Sequence, residues 1–407
     1  MKSKIPCRAS RTVKLTFATL ARRRRALAVC LALCALALSV SASAQKATIT
    51  SFDAPGAGTG LFQGTFALAI NPEGNITGYY VDSNTLAHGF LRVSDGSFVT
   101  FDAPDVGTGS FQGTFAFAIN PEGKITGYDF DANSIAHGFL RDSDGSFVTF
   151  DAPGAGASTG SFLGTLPSAI NVEGKIVGAF FDANLASHGF LRSPRGAITQ
   201  LDDPQASLGS FQGTSAVALN PQGAVVGCYS NSLGVGTGFL RTRGGAFSTL
   251  NPAGSSEGFT TGVFCGSSIF SVVQSIAINL PGTITGAYFQ PIQGNIFGGN
   301  YRGFVHHLDG TFTTFDAVTS PSLPCCTWTF PISINSEGEI AGFDNDFTGV
   351  NHGLLRANNG AITLFDAAGA GTGRGQGTVA TSINSAGVIT GYSLDANFAA
   401  HGFLRNP

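Results

Sequence analysis

The sequence predicts an all-β fold, a seven-bladed β-propeller with four-stranded blades, and three observations predict it. First, the phrase His-Gly-Phe-Leu-Arg or a variant of it recurs at His88, His137, His188, Thr237, Arg302, His352 and His401. Second, each recurrence lies in a unit of four short segments, rich in aromatic and β-branched residues and separated by turn signals. Third, the chain ends are complementary. Thr48 to Asp53 (TITSFD) reads like the fourth segment of a unit, and the last unit stops at Arg405 after its third. A repeat of this size cannot bury its own apolar face and must stack on its neighbours. An N-terminal strand that completes the last blade closes the stack into a ring and removes the edges that an open solenoid keeps.

The first element is not part of the ring. Residues 1–44 read as an export signal: Lys2 to Arg25 is basic, Ala26 to Leu38 is apolar but too short to span a bilayer, and Ala42-Ser43-Ala44 is a small-residue cleavage site. An organelle transit peptide fits the continuous apolar run less well. Cys30 and Cys34 follow Val and Leu rather than the small residue of a lipid-anchor site. The leader holds nine of the 22 basic residues and none of the 25 acidic ones, so residues 45–407 carry a net charge of about −12. An acidic exported chain with no basic stripe is a poor partner for nucleic acid or anionic membranes. No later stretch is apolar enough for a membrane helix. The expected location is extracellular, cell-surface or periplasmic.

The repeats follow, beginning near 65, 114, 165, 214, 274, 330 and 378. Thr65 to Pro104 and Thr114 to Pro153 are identical at 32 of 40 positions, which implies recent duplication. In the second unit the strand segments are Phe115 to Asn120, Lys124 to Phe130, His137 to Arg141 and Ser146 to Asp151. Asn120-Pro121-Glu122-Gly123 suits a tight type I turn, with Pro fixing φ at its second position. Ser143-Asp144-Gly145 is a hairpin signal. Asp131-Ala132-Asn133 opens a looser connection, and a Gly-rich loop leads to the next unit. With 56 Gly and 35 Phe against one Met and one Trp, the composition fits many turns around a Phe-filled interior. Strand order puts the tight turns at one end of each blade. The longer connections, where binding residues concentrate, lie at the other end.

The core Ile-Asn-x-x-Gly-x-Ile-x-Gly, at Ile119 to Gly127 and Ile383 to Gly391, is followed by a His-x-Phe-Leu strand. In these motifs the chain resembles the HAF-type extracellular repeat family over essentially all of residues 45–407. It carries His-Gly-Phe where that family has His-Ala-Phe. The resemblance implies an exported repeat protein and no particular activity.

The repeated His88, His137, His188, His352 and His401 are read as structural, because equivalent residues spaced around a ring do not converge on one substrate atom. Each is expected to hydrogen-bond a loop backbone or an adjacent Asp. The Asn of Ile-Asn-Pro-Glu-Gly is explained by its turn, and the Asp of Phe-Asp-Ala-Pro by nearby backbone N–H groups. Asp142-Ser143-Asp144-Gly145 lacks the further acidic ligands of a calcium loop. No His-Glu-x-x-His or Cys-x-x-Cys motif occurs, and neither metal nor cofactor is expected.

The informative residues break the repeat. Unit spacing is 49 to 51 residues except between Thr237 and Arg302, where it is 65. Three irregular segments, Pro252 to Val273, Gln290 to Asn300 and Val318 to Thr329, fall by topology on one sector of the loop-rich face. Phe264, Phe270, Tyr301 and Trp328 there form a candidate apolar platform, with Asn300, Arg302 and His306 as polar contacts for a sugar or peptide. Alternatively, the insertions pack as a lid stapled by a disulfide from Cys265 to Cys325 or Cys326, with Cys228 a free buried thiol. Two functions follow. One is a monomeric binding or scaffold module for a glycan or protein. The other is a propeller lyase or hydrolase, which needs the unrepeated Glu257, Arg302, His306, His307 and Asp344 to converge in this sector or in the central channel.

Overall fold

The computed structural model describes residues 47–156, 163–232, 236–252, 275–292, 295–317 and 328–407. The β structure lies within the unit Thr48–Pro407. Among the described residues all regular structure is strand, with no helix. No helix there is long and apolar enough to cross a membrane.

One motif recurs. In the second repeat, Gly113–Ile119 pairs antiparallel with Ile125–Phe130, which pairs with Ala136–Arg141, which pairs with Phe147–Phe150. Equivalent ladders begin at Gly64, Thr165, Thr214, Ile276, Trp328 and Gly377. The ladder starting at Gly377 runs through Ile389–Leu394 and Ala400–Asn406. Its fourth strand is Thr48–Phe52, in register Thr48↔Asn406 to Phe52↔Gly402.

Each ladder has a turn end and a loop end. Ile119 and Ile125 face each other beside the turn, and Gly113 and Phe130 meet at the loop end. The first strand carries a bulge, at Ala116/Ala118 in the second repeat, which lets it bend. Gly127 sits opposite that bulge, where a Cβ would lie 2.0 Å from the Phe115 carbonyl oxygen. That close approach is why the third residue of the second strand is Gly in every ladder, Gly227 of Val225-Val226-Gly227 included.

Ladder is joined to ladder by an apolar interior and by a periodic set of polar contacts. The side-chain Oδ1 of Asn120 accepts from Lys124 N within its own turn (2.9 Å), while its Nδ2 donates to the Asn171 carbonyl of the next unit (3.2 Å). The same inter-unit bond runs from Asn71 to Asn120, Asn171 to Asn220, Asn220 to Asn279, Asn279 to Asn335 and Asn335 to Asn384. Asn384 then donates to Asn71, so the series returns to its start. All seven asparagines are buried. Near the loop end, Thr114 Oγ1 accepts from Ala103 N of the preceding unit at 2.8 Å, and Thr65 does the same for Ala54. In five units the Arg that closes the third strand lies over a Phe of the preceding fourth strand, as in Arg141 over Phe101 and Arg92 over Phe52, both 4.8 Å from the ring centroid. The interior between ladders is aromatic: Phe66 stacks on Tyr79 and meets Tyr392, and Tyr79 meets Phe115.

Asn120→Asp isolates the inter-unit bond. It keeps the Oδ1 acceptor but puts a second oxygen where an N–H faced a buried carbonyl. The expected cost is roughly 2–4 kcal/mol, read as a lowered midpoint of denaturant unfolding. An unchanged midpoint would show that the asparagine series does not couple the units.

Candidate functional site

At the loop end every His of the repeat stands between two carboxylates. His137 Nδ1 contacts Asp151 at 3.0 and 3.1 Å, and its Nε2 faces Asp131 at 3.8 Å. Asp131 ends the second strand and accepts from the backbone N–H of Asn133 and Ile135, which ties the connection into a tight turn. Asp151 ends the fourth strand. The corresponding contacts are His88 with Asp102 (2.9 Å), His188 with Asp202 (2.8 Å), His352 with Asp366 (2.9 Å) and His401 with Asp53 (3.0 Å). The hydrogen bond to Asp102 raises the pKa of His88 above its ordinary value.

Where the His is replaced, its partners change with it. Arg302 makes a forked pair with Asp316 (Nε 2.9 Å, Nη2 2.7 Å) and donates to Gln290 Oε1, which stands in place of the turn Asp. In the unit with Thr237 the two aspartates are replaced by Asn231 and Asn251. The loss of a cationic or protonatable partner accompanies the loss of both carboxylates, as expected of groups that hold one another in place. Among the described residues no group of His, Cys, Asp and Glu is arranged to hold a metal ion.

The structure brings part of the predicted sector together. Tyr301 lies opposite Trp328 in a short parallel pairing, with their rings 5.8 Å apart and nearly perpendicular. Phe330 is 5.2 Å from Tyr301, and Phe289 is 5.3 Å from it on the other side. Asn300 pairs with Gln290 on the same hairpin. Arg302 is the next residue but spends its guanidinium on Asp316 and Gln290.

His306 is not in this group. It shares the strand Asn295–His306 but pairs with Ile284 and Phe312 at the turn end. Five residues of strand separate it from Tyr301 by about 17 Å. Burial lowers the His306 pKa, and its ring packs 4.7 Å from Phe312. His307 is at the same end, bonded to Thr313. Asp344 is fully buried behind His352, and burial pushes its pKa up to about 6. Phe264, Phe270, Glu257, Cys265, Cys325 and Cys326 lie outside the described residues. Cys228, expected to be a free thiol, is disulfide-bonded, with its partner outside the described residues. Its strand position gave no sign of this, because a buried small residue reads as core.

Three features escaped the sequence reading. Phe62, Phe111 and Phe211, in the Gly-rich connections, are more than half exposed and hold positive φ near 60°. The recurring Gly-x-Phe-Gln-Gly was their visible signal. Asp129 is buried at a position where Tyr80 and Phe180 stack on their histidines at 4.9 and 5.0 Å. At the turn end a cleft of about 240 Å³ is lined by residues including Asn279, His307, Glu337 and Arg356.

No family model matches the sequence, and no curated protein matches it. The HAF-type resemblance therefore rests on its motifs. Among solved structures the chain is similar to the β-propeller domain of the Trilobed protease from Pyrococcus furiosus (TM-score 0.49, 9% identity, covering 84% of this chain and 95% of that one). It is similar to TolB from Acinetobacter baumannii (TM-score 0.44, 13% identity, 82% of this chain), of which it spans 64%. It is also similar to Aleuria aurantia lectin in complex with Fucalpha1-6GlcNAc (TM-score 0.40, 14% identity, 74% of this chain and 94% of that one). The ladders themselves define the class: an all-β repeat fold of four-stranded antiparallel units.

Proposed function

We propose that this chain is an exported, monomeric seven-bladed β-propeller that acts as a binding or scaffold module through its loop end. The cyclic asparagine series and the pairing of Thr48–Phe52 with Ala400–Asn406 support a closed ring of seven blades. The observation that carries the binding reading is the character of the loop end. Aromatic rings at Phe62, Phe111, Phe211 and Trp328 reach solvent from a backbone fixed by bonds between units, such as Phe111 N to Thr85 O at 2.9 Å. Rigidly held exposed aromatics suit recognition of a glycan or a protein. The unrepeated polar groups of the described residues support no catalytic reading. Arg302 is neutralised by Asp316, Asp344 is sealed from solvent, and His306 and His307 lie at the opposite end.

Trp328 is the single tryptophan, so its fluorescence reports on the predicted sector without labelling. Glycan and peptide arrays should yield a ligand that shifts Trp328 emission. Tyr301→Ala should then weaken that ligand about tenfold, the effect of removing one aromatic anchor. Arrays with no hit, or a hit insensitive to both the sector and the exposed Phe rings, would sink the reading.

A further inference from the structure

We infer that the loop end docks a cationic, apolar polypeptide segment; this rests on the binding-module reading above and names its partner. Five units present two carboxylates to one imidazole, as in Asp131–His137–Asp151. Such a cluster is net negative whether or not the imidazole is protonated. Its outer carboxylates reach solvent, Asp102 being 45% and Asp151 54% exposed.

Compensating cations are placed elsewhere. The recurring arginines, Arg92 and Arg141 among them, end the third strand at the turn end and lie over Phe rings. At the loop end Arg302 is consumed by Asp316, and Arg374 is the other cation among the described residues. The acidic excess of the chain is thus concentrated on one face.

Between these clusters stand the exposed rings of Phe62, Phe111 and Phe211. Each holds a left-handed φ that glycine adopts without strain, and Gly375 occupies the same place in the last connection with φ of 80°. Phe62 and Phe211 rest one edge on Phe398 (6.4 Å) and Phe181 (6.3 Å), yet all three rings stay more than half exposed, and a bulky residue so placed in that conformation is an outlier that points to use beyond packing. Each is held by its backbone N–H on the neighbouring connection: Phe62 on Phe398 O, Phe111 on Thr85 O, Phe211 on Leu185 O. Fixed apolar anchors alternating with negative clusters match a segment in which apolar and Lys or Arg side chains are mixed. A neutral glycan gains no net Coulomb attraction from the carboxylate excess, and nucleic acid is repelled.

The test uses the full chain and a short fluorescent peptide of alternating Lys and Leu, with a Glu/Leu peptide of equal length as control. The Lys/Leu peptide should bind, and its affinity should fall at least about tenfold between about 50 and 500 mM salt. Replacing all three rings (F62G, F111G, F211G) should weaken it about tenfold while leaving the unfolding midpoint unlowered, since glycine suits that φ. Asp102→Asn with Asp151→Asn should flatten the salt dependence. Equal binding of both peptides, no salt dependence, or an unaffected triple variant would overturn the inference. If a neutral glycan binds the loop end and the Lys/Leu peptide does not, this inference fails and the binding-module reading stands. If neither binds, both fail.

Discussion

A chain that begins at Pro55, lacking the strand Thr48–Phe52, is expected to unfold roughly 10 °C below the full chain and to self-associate as its concentration rises. The strand supplies five paired residues against Gly402 to Asn406. At about 1 kcal/mol for each net hydrogen bond, the ladder alone is worth several kcal/mol. Its side chains add contacts at the junction with the first unit. Phe52 lies under Arg92, and Asp53 bonds His401 at 3.0 Å. Just beyond the strand, Ala54 N donates to Thr65 Oγ1. Truncation therefore leaves Ala400–Asn406 with an open edge and also loosens the next junction. Scanning fluorimetry and size-exclusion chromatography read both effects. A synthetic peptide spanning residues 46–54 should restore the midpoint if the strand acts as a closing strap. An unchanged midpoint in the truncated chain would mean that the ends do not hold the fold together.

The ladders were legible because their determinants are local. Alternating side chains and a Pro- or Gly-bearing turn specify a hairpin within about sixteen residues, as in Phe115 to Phe130. The couplings between ladders were not. Asn120 was explained by its own turn, and its Oδ1 does serve that turn. Its Nδ2 meets a carbonyl 51 residues away, and no local pattern shows that. Thr114 and Arg141 were passed over for the same reason: their partners belong to the preceding unit.

At the candidate site, topology put Tyr301 beside Trp328 because Trp328 begins its strand at the loop end and the Asn295–His306 strand passes Tyr301 at that level. His306 was grouped with them by proximity in sequence, although a strand carries it to the far end. The exposed Phe rings went unremarked because a Phe in a Phe-rich chain reads as core until its burial is known.

Asp129 gives the last expected result, one that a structural cluster of this kind should show as a pH dependence. Its carboxyl is buried beneath His137, and burial raises its pKa from 3.8 to about 7. Its Oδ1 has no hydrogen-bond partner. In the unfolded chain the group ionises near 3.8, so between that value and about 7 the folded chain binds more protons than the unfolded one. Stability contributed by Asp129 is therefore highest at acid pH and falls as pH rises, by about 1.4 kcal/mol per unit.

Asp129→Asn removes the ionisation while keeping the shape. Near pH 4 the variant and the parent should unfold at similar midpoints. At pH 8 the variant should be the more stable by about 3–4 kcal/mol, with the gap opening between the two pKa values. Asp344→Asn should repeat the pattern over a narrower window, because Asp344 titrates near 6 and accepts a hydrogen bond from Thr329. The neighbouring histidines, His137 and His352, work in the same direction. Their raised pKa values add stability that is lost as pH climbs through the folded pKa, so the parent chain declines for both reasons. Only the difference between Asp129 and Asn isolates the buried carboxyl. A difference that stays constant from pH 4 to pH 8 would show that Asp129 is already ionised in the fold.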